Sequence, residues 1–113
     1  MALPTIVPMS APEGYGPGVT IQDVHIDHFV EAKFPAGLIT FRVAPGAESE
    51  PHSHVSDEAW FIGAGDGEIY TDGFMVKVTA GDIVYLESGS RHNIRNIGGA
   101  PLIVLSIYWR RPE

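Results

Sequence analysis

Apolar and polar residues alternate between positions 23 and 30. Val24, Ile26, His28 and Val30 take one parity, and Asp23, His25, Asp27 and Phe29 take the other. That period of two predicts a half-buried strand. A second run, 38–44, is rich in β-branched and aromatic residues (Ile39, Thr40, Phe41, Val43) and stops at the turn pair Pro45-Gly46. A third, 58–62, precedes the glycines Gly63, Gly65 and Gly67. Strands at 68–71 and 74–78 flank Asp72-Gly73, the strongest hairpin signal in the chain. Further strands are expected at 83–86, after Ala80-Gly81-Asp82, at 92–96, after the turn holding Gly89, and at 102–109, beyond Gly98-Gly99. About eight to ten short strands, with no long stretch on a helical period, argue for an all-β sandwich or barrel.

Residues 1–18 show no such period. They are rich in glycine and proline (Pro4, Pro8, Pro12, Pro17) and read as an irregular arm ahead of one domain at 19–113. A chain of 113 residues fits a single domain, and 44% hydrophobic residues suit a packed core. There is no cysteine, so a metal site here must use nitrogen and oxygen donors. Seven basic against fourteen acidic residues give a net charge of -7, which repels polyanions. With no basic stripe, nucleic acid is not an expected partner. No apolar run approaches the ~20 residues of a membrane span. The first ten residues lack Lys and Arg, unlike a secretory leader, so a cytoplasmic location is expected.

The candidate chemistry lies in the histidines. In His52-Ser53-His54, positions i and i+2 of a strand would aim both imidazoles at one point. A turn through residues 55–57 could return Glu58 beside them, and His92 opens a later strand. Three imidazoles and a carboxylate form a borderline-to-hard donor set, suited to Fe(II), Mn(II), Ni(II), Co(II), Cu(II) or Zn(II). Taken alone, the His-x-His pair reads equally as two surface histidines near a turn. His25 and His28 differ by an odd number, so a strand would hold them on opposite faces and deny them a shared ion.

The spacing resembles the two-part signature of the cupin superfamily. Gly46, His52, His54, Glu58 and Gly65 match every position of its first motif; Gly81, Gly89, His92 and Asn96 match the second. Glu87 stands where the family usually has proline, which removes a rigid turn residue but no ligand. The resemblance covers 46–96. It implies a small jelly-roll barrel with a divalent metal held by His52, His54, Glu58 and His92. Asn96 is expected to be a structural hydrogen-bonding residue.

If Glu58 points inward, Trp60 and Ile62 follow by the same period, as Ile94 and Asn96 follow His92. Phe41, Trp60, Tyr70, Phe74, Met75 and Ile94 are therefore candidate pocket walls, each competing with plain core packing. Tyr85 and Tyr108 could present hydroxyls to a ligand or to the barrel. Arg42, if inward, could hold a substrate carboxylate. Glu50, Asp57 and Glu87 are candidate proton carriers at the rim, with solvation as the default. Three His and one Glu leave two positions open on an octahedral ion. The resemblance implies a metal-dependent enzyme acting on a small carbonyl- or enol-bearing molecule, with dioxygenase-type chemistry leading. Lewis-acid isomerase, epimerase, lyase or cyclase chemistry is the alternative, and so is a non-catalytic ligand-binding or sensory barrel. A homodimer is expected, because small cupins commonly pair through outer strands and exposed edges need cover.

Overall fold

The computed structural model describes residues 3–29 and 35–110. Nine strands and one short 3-10 turn appear among them. The strands are β1 (Glu13–Gly14), β2 (Val19–Asp23), β3 (Gly37–Val43), β4 (Ser56–Ala64), β5 (Asp66–Thr71), β6 (Phe74–Thr79), β7 (Ile83–Leu86), β8 (His92–Asn96) and β9 (Leu102–Arg110). They form two antiparallel sheets, one in the order β1-β2-β3-β9-β4-β7 and the other β6-β5-β8. No helix among the described residues is long and apolar enough to cross a membrane.

The inward faces of the two sheets build one core. Val43, Trp60, Ile62, Leu102 and Val104 come from the larger sheet, and Ile69, Val78 and Ile94 from the smaller. Alternation does the placing. On β4, Glu58, Trp60 and Ile62 are buried while Phe61 and Gly63 are exposed. On β9, Leu102, Val104 and Ser106 are buried in turn. Gly65 ends β4 at φ +90, and a Cβ there would lie 2.9 Å from the Leu102 Cα and the Pro101 carbonyl. Only glycine takes that turn against β9 without strain. Asn96 is buried and ties down this end of the barrel. Its Nδ2 donates to the carbonyls of Val43 (2.9 Å) and Ala100 (2.8 Å), and its Oδ1 accepts from the Gly98 N–H (2.8 Å).

The chain departs from the expected strand at 23–30. The strand lies earlier, at Val19–Asp23, and Ile26–Phe29 form the 3-10 turn. The reason is pairing. The ladder with β3 runs from Val19↔Val43 to Asp23↔Ile39, and Val24 adds a last bond from its N–H to the Leu38 carbonyl at 3.0 Å. Beyond it no strand among the described residues pairs with the alternating segment, and period alone does not hold a strand. The strand parity argument separating His25 from His28 therefore falls away. Val30, which closed that pattern, lies outside the described residues.

Candidate metal centre

Three segments bring the ligand candidates together: the connection between β3 and β4, β4 itself and β8. His52 and His92 face one another in a two-residue bridge: each N–H donates to the other's carbonyl, at 3.1 and 3.0 Å. Neighbouring bonds keep the register, with Ser49 N–H to the Ile94 carbonyl and Ile94 N–H to Ser49 Oγ, both 2.9 Å. His54 is not on a strand, so the shared face expected of a strand pair is not what aims it. Its carbonyl accepts from the Gly89 N–H at 2.9 Å, and Ser88 Oγ donates to the Val55 carbonyl at 2.7 Å. Those contacts fasten the loop to the turn before β8. That turn closes without the family's proline: both the N–H and the hydroxyl of Ser90 donate to the Glu87 carbonyl. Glu58 is the third residue of β4.

The ring-nitrogen contacts assign the protons. Nδ1 of His52 lies 3.1 Å from the Glu50 carbonyl, Nδ1 of His54 3.3 Å from that of Ser56, and Nδ1 of His92 3.2 Å from that of Ser90. A carbonyl only accepts, so each Nδ1 carries the hydrogen and each Nε2 of a neutral ring is left with a bare lone pair. One ligand atom from each of these three rings lies within 4.8 Å of the others. The Glu58 carboxylate completes the group. Its Oε2 accepts from Trp60 Nε1 at 2.7 Å and from Ser106 Oγ at 2.8 Å. Its Oε1 faces Nε2 of His54 in close contact and Nε2 of His92 at 3.3 Å. Glu58 Oε1 and His92 Nε2 are buried with no hydrogen-bond partner. Lone pairs turned on one another in a dry site are costly unless a cation lies between them. The donor set and its orphaned atoms fit a divalent metal.

Burial alone would push the Glu58 carboxyl up. Hydrogen bonds from His92, Trp60 and Ser106, with the charge of His54, outweigh it and lower the pKa from 4.5 to about 2, the two histidines contributing only when their rings carry a second proton. Trp60 and Ser106 are the donors that act whatever the histidines' protonation.

A cavity of about 400 Å³ opens beside the cluster, and His52, His54 and Glu58 line it. Of the expected wall residues, Phe41, Trp60 and Tyr108 line it too. Phe41 packs edge-on against Trp60 at 5.1 Å, and Trp60 against His92 at 5.3 Å. Arg42, Tyr70, Phe74, Met75, Tyr85 and Ile94 do not line it. Arg42 has the opposite parity to Phe41 and is exposed. The Tyr70 hydroxyl donates to Glu68 on the smaller sheet (2.8 Å), and Phe74 and Met75 are exposed on its edge strand β6. Tyr85 faces outward and donates to Asp57 Oδ1 at 2.8 Å, which also accepts from the Ser88 N–H, so buried Asp57 has a structural role. Ile94 is fully buried in the core. Glu50 is exposed and contributes its carbonyl to His52.

Sequence reasoning missed Tyr15, Ser49 and Asp23, which also line the cavity. Tyr15 approaches His52 edge-on, with ring centroids 6.3 Å apart. A turn holds it there, closed by Tyr15 N–H to the Val19 carbonyl (2.8 Å), with Gly16 and Gly18 at positive φ. Nothing in the hydrophobic pattern signals such a turn.

A two-sheet barrel with an imidazole and carboxylate cluster at one end of an apolar cavity defines a class of small metal-binding barrels. The family model for the cupin domain matches residues 39–108, and the chain belongs to that family. It is 31% identical over 67 residues to an oxalate-binding protein of Thermotoga maritima, a match spanning 58% of this chain and 55% of that protein. A Cupin 2 conserved barrel domain protein from Salinispora arenicola superposes with a TM-score of 0.79, at 28% identity, over 96% of this chain and 90% of that one. A predicted oxalate decarboxylase from Thermotoga maritima shares the fold, with a TM-score of 0.75 at 22% identity, over 93% and 94% of the two chains.

The Glu58 carboxyl gives a pH prediction. Its folded pKa is below the ordinary value, so its contribution to stability is present above pH 4.5 and is lost as pH falls toward 2. In metal-free protein, Glu58→Gln is expected to flatten the fall in urea stability across that window. An unchanged slope would show that Glu58 is not so perturbed.

Proposed function

We propose that this chain binds one divalent transition-metal ion through His52, His54, Glu58 and His92 and is a metal-dependent enzyme. Its substrate is a small, partly apolar molecule with a carbonyl or enol group, and dioxygenase-type chemistry leads among its reactions. The observation that supports the reading is the convergence of three Nε2 lone pairs with the orphaned Glu58 Oε1 beside an open cavity. When bound, an ion supplies Lewis acidity and, if redox-active, a partner for dioxygen.

The chain's own residues supply the rest. The carbonyls of Glu50, Ser56 and Ser90 hold the three imidazoles in one tautomer. Trp60 and Ser106 occupy Glu58 Oε2 and leave Oε1 as the donor atom. Phe41 and Trp60 exclude water from the inner wall. Because His52, His54 and Glu58 all line the cavity, open coordination positions would face it. Lewis-acid isomerase or lyase chemistry would use the same residues. The likeness to a protein named as oxalate-binding favours a second reading, a non-catalytic small-ligand barrel.

The test is elemental analysis of untagged protein purified without chelator, beside a Glu58→Ala, His92→Ala double variant. About one equivalent of Fe, Mn, Ni, Co, Cu or Zn is expected, falling at least tenfold in the variant. An unchanged metal content in the folded variant would contradict the ligand set. Iron with substrate-dependent oxygen uptake would support the dioxygenase reading; ligand binding without turnover would support the second.

We also read the chain as a homodimer pairing through outer strands. Phe61 pairs with Ile83 on β4 and β7, and both are exposed, as is Tyr85 nearby. Light scattering is expected to give twice the 12.2 kDa chain mass. A monomer at every concentration would contradict it.

A further inference from the structure

The inward face of β2 reads Val19, Ile21, Asp23, and all three line the cavity. A carboxylate thus stands where the period calls for a third apolar side chain. Ser10 holds the Asp23 backbone: its Oγ accepts from the Asp23 N–H at 2.9 Å, and its N–H donates to the Asp23 carbonyl at 3.0 Å. Among the described residues the Asp23 carboxylate itself has no hydrogen-bond or ion-pair partner, and no Lys or Arg lines the cavity. Glu58 is taken up by the metal cluster, so among the described residues that line the cavity Asp23 is the acidic group left to meet a ligand.

Its place follows from the register. Asp23 pairs with Ile39, Ile39 with Ser106, and Ser106 with Trp60. That row crosses three strand spacings, roughly 14 Å along the sheet, and the barrel's curvature shortens it. Ile21, Ile39 and Phe41 line the interval.

We propose that Asp23 is the far anchor of the ligand. The ligand then has a chelating head at the His52–His54–Glu58–His92 cluster, an apolar middle and a cationic, amine-type tail paired with Asp23. This rests on the metal reading above. An oxalate-sized dianion could occupy the cluster but would not reach Asp23 across the apolar wall, and among the described residues no Lys or Arg lines the cavity to meet its charge.

The test uses protein loaded anaerobically with Co(II), whose visible spectrum reports both ion uptake and occupation of its open positions. Three catechols with one head group and different tails serve as probes: 4-(2-aminoethyl)catechol, 4-ethylcatechol and 3,4-dihydroxyphenylacetate. Wild type is expected to bind the amine about tenfold more tightly than the carboxylate at low salt, with the neutral probe between. Asp23→Asn, nearly the same shape at an exposed position, is expected to bring the ratio close to one, as is about 0.5 M NaCl in wild type. A flat series in wild type, or the same ratio in Asp23→Asn, overturns the assignment. Cobalt that binds normally while the series is flat defeats the Asp23 proposal alone. Protein that takes up no cobalt defeats the metal reading beneath it.

Discussion

Two backbone hydrogen bonds between His52 and His92 are the constraint on which the rest of the site depends. They fasten the connection between β3 and β4 onto β8, so a segment without regular structure becomes part of the barrel wall. They also set two imidazoles side by side, with centroids 5.2 Å apart. One such bond contributes about 1 kcal/mol net, too little to hold the loop alone. The bridge persists because Ser49 with Ile94 and Glu48 with Arg95 continue it along β8. On the other side Gly89 and Ser88 hold the loop just past His54. The positions of the candidate ligands are thus fixed by backbone pairing, with no ion needed to place them.

Against that frame the site stores an unfavourable arrangement. Glu58 is buried on a wall otherwise built from Trp60 and Ile62, and half of its carboxylate is left without a donor. Trp60 and Ser106 satisfy the other half. A packing solution for this position would use an apolar residue or protonate the acid, yet the neighbours keep the carboxyl ionised down to about pH 2. A local rule of polar satisfaction is broken at one place in a core that obeys it elsewhere, as at Asn96 and Asp57. That contrast marks function more sharply than the histidine spacing does.

The sequence made the later strands legible because each is bounded by turn chemistry. Residues 83–86 and 92–96 are found where Gly81 and Gly89, both at positive φ, predict them. The inward parity of Glu58, Trp60 and Ile62 was legible for the same reason. The early chain was not. A pattern of two at 23–30 outscored the true strand at Val19–Asp23, whose inward row is interrupted by Asp23 itself. Period sees side chains, whereas strand formation needs a partner, and β3 supplies one only as far as Val24. The pocket was half legible. Phe41 and Trp60 follow from alternation, but Tyr70 and Met75 belong to a smaller sheet whose separation from the cavity no local pattern encodes. Tyr15 reaches His52 through a turn whose consequence is purely tertiary.

In the proposed centre the three imidazoles present Nε2 to one ion while backbone carbonyls hold their Nδ1 hydrogens. Long-range proton–nitrogen NMR on protein loaded with one equivalent of Zn(II) tests it directly. The account predicts metal-shifted Nε2 and protonated, exchange-protected Nδ1 for His52, His54 and His92, with His25 and His28 unmoved. A ring among the three that binds through Nδ1, or that does not respond to zinc, would contradict it.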